Sequence, residues 1–153
     1  MNLNLSVSLA HPTSSPFSRN AAQALAEANL LNEIITTAAY NPQGAISRFL
    51  HRLPSSIAWP IIKELERRAW IAPKGTVIKT YPAREALRIA LVKTKLSSQL
   101  GLGKHGPIDW VYPSLDQQVA RHHLINIDAI YAYEDGAAST FAVAKDQGIL
   151  CLY

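Results

Sequence analysis

Cysteine is nearly missing from this chain. Cys151 is the only one in 153 residues, so no disulfide can form within the chain, and a reducing, cytoplasmic setting is expected. Charge is sparse as well. Charged residues make up 17% and hydrophobic ones 48%, a globular balance that excludes wholesale disorder. No apolar run approaches the roughly 18 to 20 residues that a membrane span needs. The opening MNLNLSVSLA carries no basic residue ahead of its apolar part, which makes it a poor signal peptide.

Several chemical signatures are absent too. GLGKHGP has too few glycines in the right order, and no Lys-Ser/Thr after them, for a phosphate-binding loop. No Gly-x-Gly-x-x-Gly follows the first apolar stretch, which disfavours a dinucleotide-dependent dehydrogenase. There is no Gly-x-Ser-x-Gly nucleophile elbow. His122-His123 has neither a partner one helical turn away nor a cysteine pair, so no metal site is expected. Cys151 lies in an apolar stretch and reads as an inert core thiol.

What is present has clear periodicity. Leu3, Leu5, Val7 and Leu9 alternate with Asn4, Ser6 and Ser8, the pattern of a strand. HPTSSPFSRN then makes a loop, with Ser15 as N-cap and Pro16 at the first helical position. Phe17, Ala21, Ala24, Leu25 and Ala28 form one apolar stripe on the helix that follows, and Asn29 suits a left-handed end. Glu33 to Ala39 is rich in β-branched residues and reads as a second strand. Strand, helix, strand implies a βαβ unit with a parallel pair.

The middle is predominantly helical by pattern. AISRFLHRL is a short helix ended by Pro54. SSIAWPIIKELERRAW is a longer one, with Ile61, Ile62, Leu65 and Ala69 on its apolar side and Glu64 one turn from Arg68. TVIKTY reads as a short strand. Residues 82–101 read as a helix with Pro82 in its first turn and Gly101 past its end. IDWVYPSLDQQVARHHL reads as a loop entering a helix capped by Ser114 or Asp116. A strand at Ala129–Tyr133, a helix ended by Gly148 and a last strand in ILCLY complete the chain. The predicted fold class is α/β, an open parallel Rossmann-like sheet with helices on both faces.

Charge is unevenly placed. Arg48 to Lys104 holds twelve Lys and Arg against three Glu, while the remainder holds three basic and eight acidic residues. A solvated basic face accounts for this, and so does contact with an anionic partner. Interleaved aromatics, a recognition-helix pattern and zinc ligands are all missing, so nucleic acid is not expected.

In an open parallel sheet, ligands bind beyond the carboxyl ends of the strands, where strand order reverses. Chain direction puts two loops there. One holds His11, Ser14 and Ser15. The other holds Glu134, Asp135 and Gly136, with Gly136 letting the backbone turn tightly into the next helix. The small residues Ala137, Ala138 and Ser139 allow close approach of a neighbour or a ligand, and the helix N-terminus offers free N–H groups. One of the two acids is expected to cap that helix and the other to face the cleft.

VSLAHPTSSPFSRNAAQALAEANLL, IITTAAYNP and VYPSLDQQVARHHL followed by DAIYAYEDGAASTFAVAKDQGILCLY occur in an order that resembles the N-terminal, acceptor-side domain of GT-B-fold glycosyltransferases of family four, the group 1 type. Residues 45–106 correspond to that family's variable region. The resemblance implies two facing Rossmann-like domains and transfer of a glycosyl group from a nucleotide sugar to an acceptor hydroxyl, with no cofactor and no essential metal. It places His11, Ser14, Ser15, Glu134, Asp135 and Gly136 at the acceptor cleft and assigns no catalytic base. It also implies that residues 1–153 are one C-terminally incomplete domain, inactive alone and marginally soluble through the apolar ILCLY strand. Arg84, Arg88 and Lys95 would face an anionic membrane surface, a membrane-peripheral placement within the cytoplasm. Where the resemblance expects a Gly-Gly pair in the first-strand loop, this chain has Ser14-Ser15. The competing expectation is a free-standing flavodoxin-like or regulatory α/β binding domain without catalysis.

Overall fold

A computed structural model describes residues 5–83, 85 and 106–153, with backbone only at 106–110 and 134. Five strands form one parallel sheet: β1 (Val7–Ala10), β2 (Leu31–Thr36), β3 (Val77–Thr80), β4 (Ala129–Ala132) and β5 (Leu150–Leu152), in the order β3-β2-β1-β4-β5. This matches the first five strands of the doubly wound Rossmann order 3-2-1-4-5-6, and it differs from the 2-1-3-4-5 order of a flavodoxin-like sheet. The helices are α1 (Pro16–Glu27), α2 (Ala45–Leu50), α3 (Ser55–Glu66), α4 (Gly106–His122) and α5 (Ala138–Asp146). The helix expected over 82–101, with Arg84, Arg88 and Lys95, lies outside the described residues apart from Pro82, Ala83 and Glu85.

Successive side chains of a strand face opposite ways, so each central strand feeds two cores. Leu9 and Ile34 pack with Ala22, Leu25 and Trp70 on the α1 side. Ala10, Ile35, Ile130 and Ala132 pack with Leu115 and Val119 of α4 and Ala144 of α5 on the other. The polar half of the first strand's alternation is therefore buried as well. Ser8 is fully enclosed, and its hydroxyl accepts a hydrogen bond from Asn32 Nδ2 at 3.2 Å.

α1 begins as its sequence implies. Ser15 Oγ accepts from the Ser18 N–H at 3.1 Å, Pro16 opens the helix, and Asn29 follows it at φ 55°. Its apolar stripe is corrected by about one residue. Ser18 and Ala22 are the buried positions, with Ala21 and Leu25 partly covered, while Phe17, Ala24 and Ala28 are exposed. Ala22 packs there with Leu9, Ile34 and Trp70.

α3 shows a similar shift. Ala58 and Ile62 are buried with Leu65 alongside, and Ile61 is exposed. The Arg68–Glu64 pair forms at 2.6 Å, and Arg68 also reaches Glu85 at 2.8 Å. α4 departs most from the sequence pattern. It runs through Pro113 without waiting for a cap at Ser114 or Asp116, because burial of Val111, Leu115 and Val119 along one face outweighs the hydrogen bond that proline removes. β5 is an edge strand with Leu150 exposed, and Cys151 is only partly buried, which corrects the core-thiol expectation.

Candidate functional site

β1 leads to β2 on one side, and its neighbour β4 leads to β5 on the other. The sheet's switch point is therefore the gap between the carboxyl ends of β1 and β4. The register pairs Ala10 with Ala132, so the two following loops start level. They meet: the rings of His11 and Tyr133 lie 5.0 Å apart at 55°. Tyr112 of α4 meets Tyr133 edge to face at 6.3 Å. A cleft of about 470 Å³ opens here. His11, Thr13, Ser15 and Ser18 line its polar side, and Phe17, Tyr112, Tyr131, Tyr133 and Tyr153 supply aromatic surface. The exposure of Phe17, anomalous for a core stripe, follows from its place on this wall.

His11 Nδ1 lies 2.7 Å from the Thr13 carbonyl oxygen, to which it donates in the Nδ1-protonated tautomer, and 3.1 Å from the Thr13 nitrogen, whose N–H donates to it in the other tautomer. Either way Nδ1 is engaged by Thr13, which leaves Nε2 as the ring nitrogen for another partner. Burial pushes the His11 pKa below the ordinary 6.5, against a smaller upward pull from the Thr13 hydrogen bond. The ring is therefore neutral at pH 7. Thr37 Oγ1 donates to the Pro12 carbonyl at 2.6 Å and ties this loop to the end of β2.

The other expected residues separate. Ser15 reaches the cleft, but its hydroxyl is spent on capping α1. Ser14 is buried and is not among the lining residues. Asp135 is exposed, is not among the lining residues, and accepts from the Tyr133 hydroxyl at 3.1 Å. Glu134 opens a single 3-10 turn, Glu134–Gly136, and its side chain lies outside the described part.

The capping expectation for these acids is corrected. The residue that caps α5 is Asp116, from the middle of α4. Its Oδ2 accepts from the Ser139 N–H and its Oδ1 from the Thr140 N–H, both at 2.7 Å, and the Thr140 hydroxyl donates to the Asp116 carbonyl at 3.1 Å. Free N–H groups for an anion are consequently not on offer at these two positions.

Gly136 and the small residues after it are also reassigned. Gly136 has no positive φ, and an added Cβ would meet Tyr112 at an ordinary 3.6 Å. Gly136→Ala should change stability by no more than about 0.5 kcal/mol, read by thermal melting. Ala137 is buried in the α4–α5 core, so small size there serves helix packing.

The chain matches no protein-family model, no curated protein and no solved structure. Among the described residues, no cluster of His, Cys, Asp or Glu has the placement to hold a metal ion. No described helix is long and apolar enough to cross a membrane.

One cluster escaped sequence reasoning. His123 Nδ1 donates to Glu33 Oε1 at 2.7 Å, and the Tyr81 hydroxyl lies 2.6 Å from Nε2. A carboxylate can only accept, so Nδ1 carries the proton and Nε2 takes the phenol proton as a hydrogen bond. These residues join the ends of α4 and β3 to the middle of β2. No lining residue of the cleft belongs to this network.

Proposed function

We propose that the β1/β4 cleft binds the ring of a neutral carbohydrate, as the acceptor side of a glycosyltransferase that uses a nucleotide-sugar donor. The observation that carries this reading is the lining. Five aromatic side chains line the cleft together with His11, and no Lys or Arg stands among the described lining residues. Aromatic faces suit the C–H faces of a pyranose, while His11 Nε2 and the tyrosine hydroxyls suit its hydroxyl groups, which both donate and accept. A diphosphate would need cations or uncommitted helix N–H groups. Ser15 and Asp116 already engage N–H groups in the first turns of α1 and α5. His11 would then orient an acceptor hydroxyl, with no residue assigned as the base.

Saturation-transfer NMR with simple methyl glycosides and, in parallel, nucleoside diphosphates tests this. Saturable glycoside binding is expected, with Tyr133→Ala lowering affinity at least about tenfold through loss of the stacking surface. Low-micromolar nucleotide binding with no glycoside binding would overturn the reading. Binding should hold at pH 7 and weaken as acid protonates the His11 ring, with its midpoint below 6.5 because the His11 pKa is lowered.

A further inference from the structure

The α2–α3 hairpin carries more apolar surface than its own packing uses. Leu50, Ala58 and Ile62 close a small core with Leu53 and Leu65. Outside that core stand Ile46, Phe49, Ile57, Trp59 and Ile61, exposed by 65, 60, 55, 65 and 42%. On α3, Ile57, Trp59 and Ile61 flank the inward line of Ala58 and Ile62 and remain exposed. Scattered single apolar residues on a surface need no explanation, but five large ones on one short hairpin do.

Charge narrows the choice of partner. Arg48, Arg52, Lys63 and Arg67 are exposed on the same two helices and the turns that follow them, against one exposed acid, Glu66. Arg68 is set apart, since Glu64 and Glu85 hold it. A second copy of the chain docking through this face would bring like charges together. Nucleic acid would engage the cations but leave the isoleucines without a use. An anionic bilayer uses both: apolar side chains enter the boundary between headgroups and acyl chains, and long basic side chains reach up to the lipid charges.

We propose that the α2–α3 hairpin docks the protein on an anionic lipid surface, with Phe49 and Trp59 as its deepest apolar contacts. The hairpin follows β2, whose end is tied to the His11 loop through Thr37 and Pro12. It therefore leaves the sheet at the same edge as the cleft. This surface is independent of the ligand proposed above and involves none of Arg84, Arg88 and Lys95, which lie outside the described residues.

Sedimentation of the full chain with phosphatidylcholine vesicles, with and without phosphatidylglycerol, tests the assignment. Binding is expected only with phosphatidylglycerol, and it should weaken with salt. Phe49→Ser with Trp59→Ser should reduce partitioning at least about tenfold, and Arg52→Glu with Arg67→Glu should do the same. All four side chains are exposed, so thermal melts should stay unchanged and separate lost docking from lost folding. Equal binding to neutral vesicles would overturn the proposal. So would a self-association that the Phe49 and Trp59 changes abolish without any vesicle binding. Vesicle binding that survives those changes but is lost with Arg84→Glu and Arg88→Glu would move the contact to those residues and overturn it as well.

Discussion

Asp116→Ala should lower the stability of this protein by about 3 kcal/mol, the largest effect expected from any single polar substitution in it. Asp116 is only 4% exposed, and both of its oxygens accept backbone N–H groups of the first turn of α5. Truncation removes two charge-assisted hydrogen bonds and leaves the Thr140 N–H buried without a partner. It also releases α5 from α4, and with it the inner wall of the Tyr133 turn. A chain of this size loses about 2 to 4 °C of melting temperature per kcal/mol, so a fall on the order of 10 °C is expected. Asp116→Asn keeps one acceptor oxygen and should cost less than half as much. Equal melting temperatures for Asp116→Ala and the parent chain would refute the capping role.

His123→Leu should cost about 2 kcal/mol, read by denaturant titration, because it strands two partners at once. The His123 and Glu33 side chains are 9 and 16% exposed, so water repairs little of the loss. Glu33→Gln leaves an acceptor for Nδ1 and should be milder. The network also sets an alkaline limit. Burial raises the Tyr81 pKa above 10.0, and the charge of Glu33 adds to the rise. The folded state therefore holds the phenol proton more tightly than the unfolded state does. Stability from this group is complete below about pH 10 and is lost as pH rises through the raised folded value. Tyr81→Phe should flatten that alkaline decline. His11 acts at the other end of the scale. Its lowered pKa means that its contribution is present above 6.5 and is lost as pH falls through the folded value.

Much of the architecture was legible in the residues. β1, α1, β2 and β4, α5, β5 fall where period-2 and period-3.6 patterns put them, and Ser15, Asn29 and Gly148 punctuate the helices as their chemistry allows. The meeting of the His11 and Tyr133 loops was also legible, because parallel strands deliver their carboxyl ends to one edge. The wrong readings share a cause. The stripe of α1 was placed one residue away because periodicity gives only an angular range, and within it Ala22 packs with Leu9, Ile34 and Trp70. Glu134 and Asp135 were given the cap because they adjoin α5, whereas the acid that caps it stands 23 residues from Ser139.

The amino-acid order alone thus determined the elements, their parallel direction and the edge of the sheet at which a ligand can sit, since these depend on contacts within a turn or along a strand. Only the tertiary structure decided that Asp116 closes α5, that Glu33 and Tyr81 meet His123 across 90 and 42 residues, and that aromatic rings line the cleft. Those pairings depend on how finished elements dock, and docking is set by the shape and volume of whole faces, which no local spacing encodes.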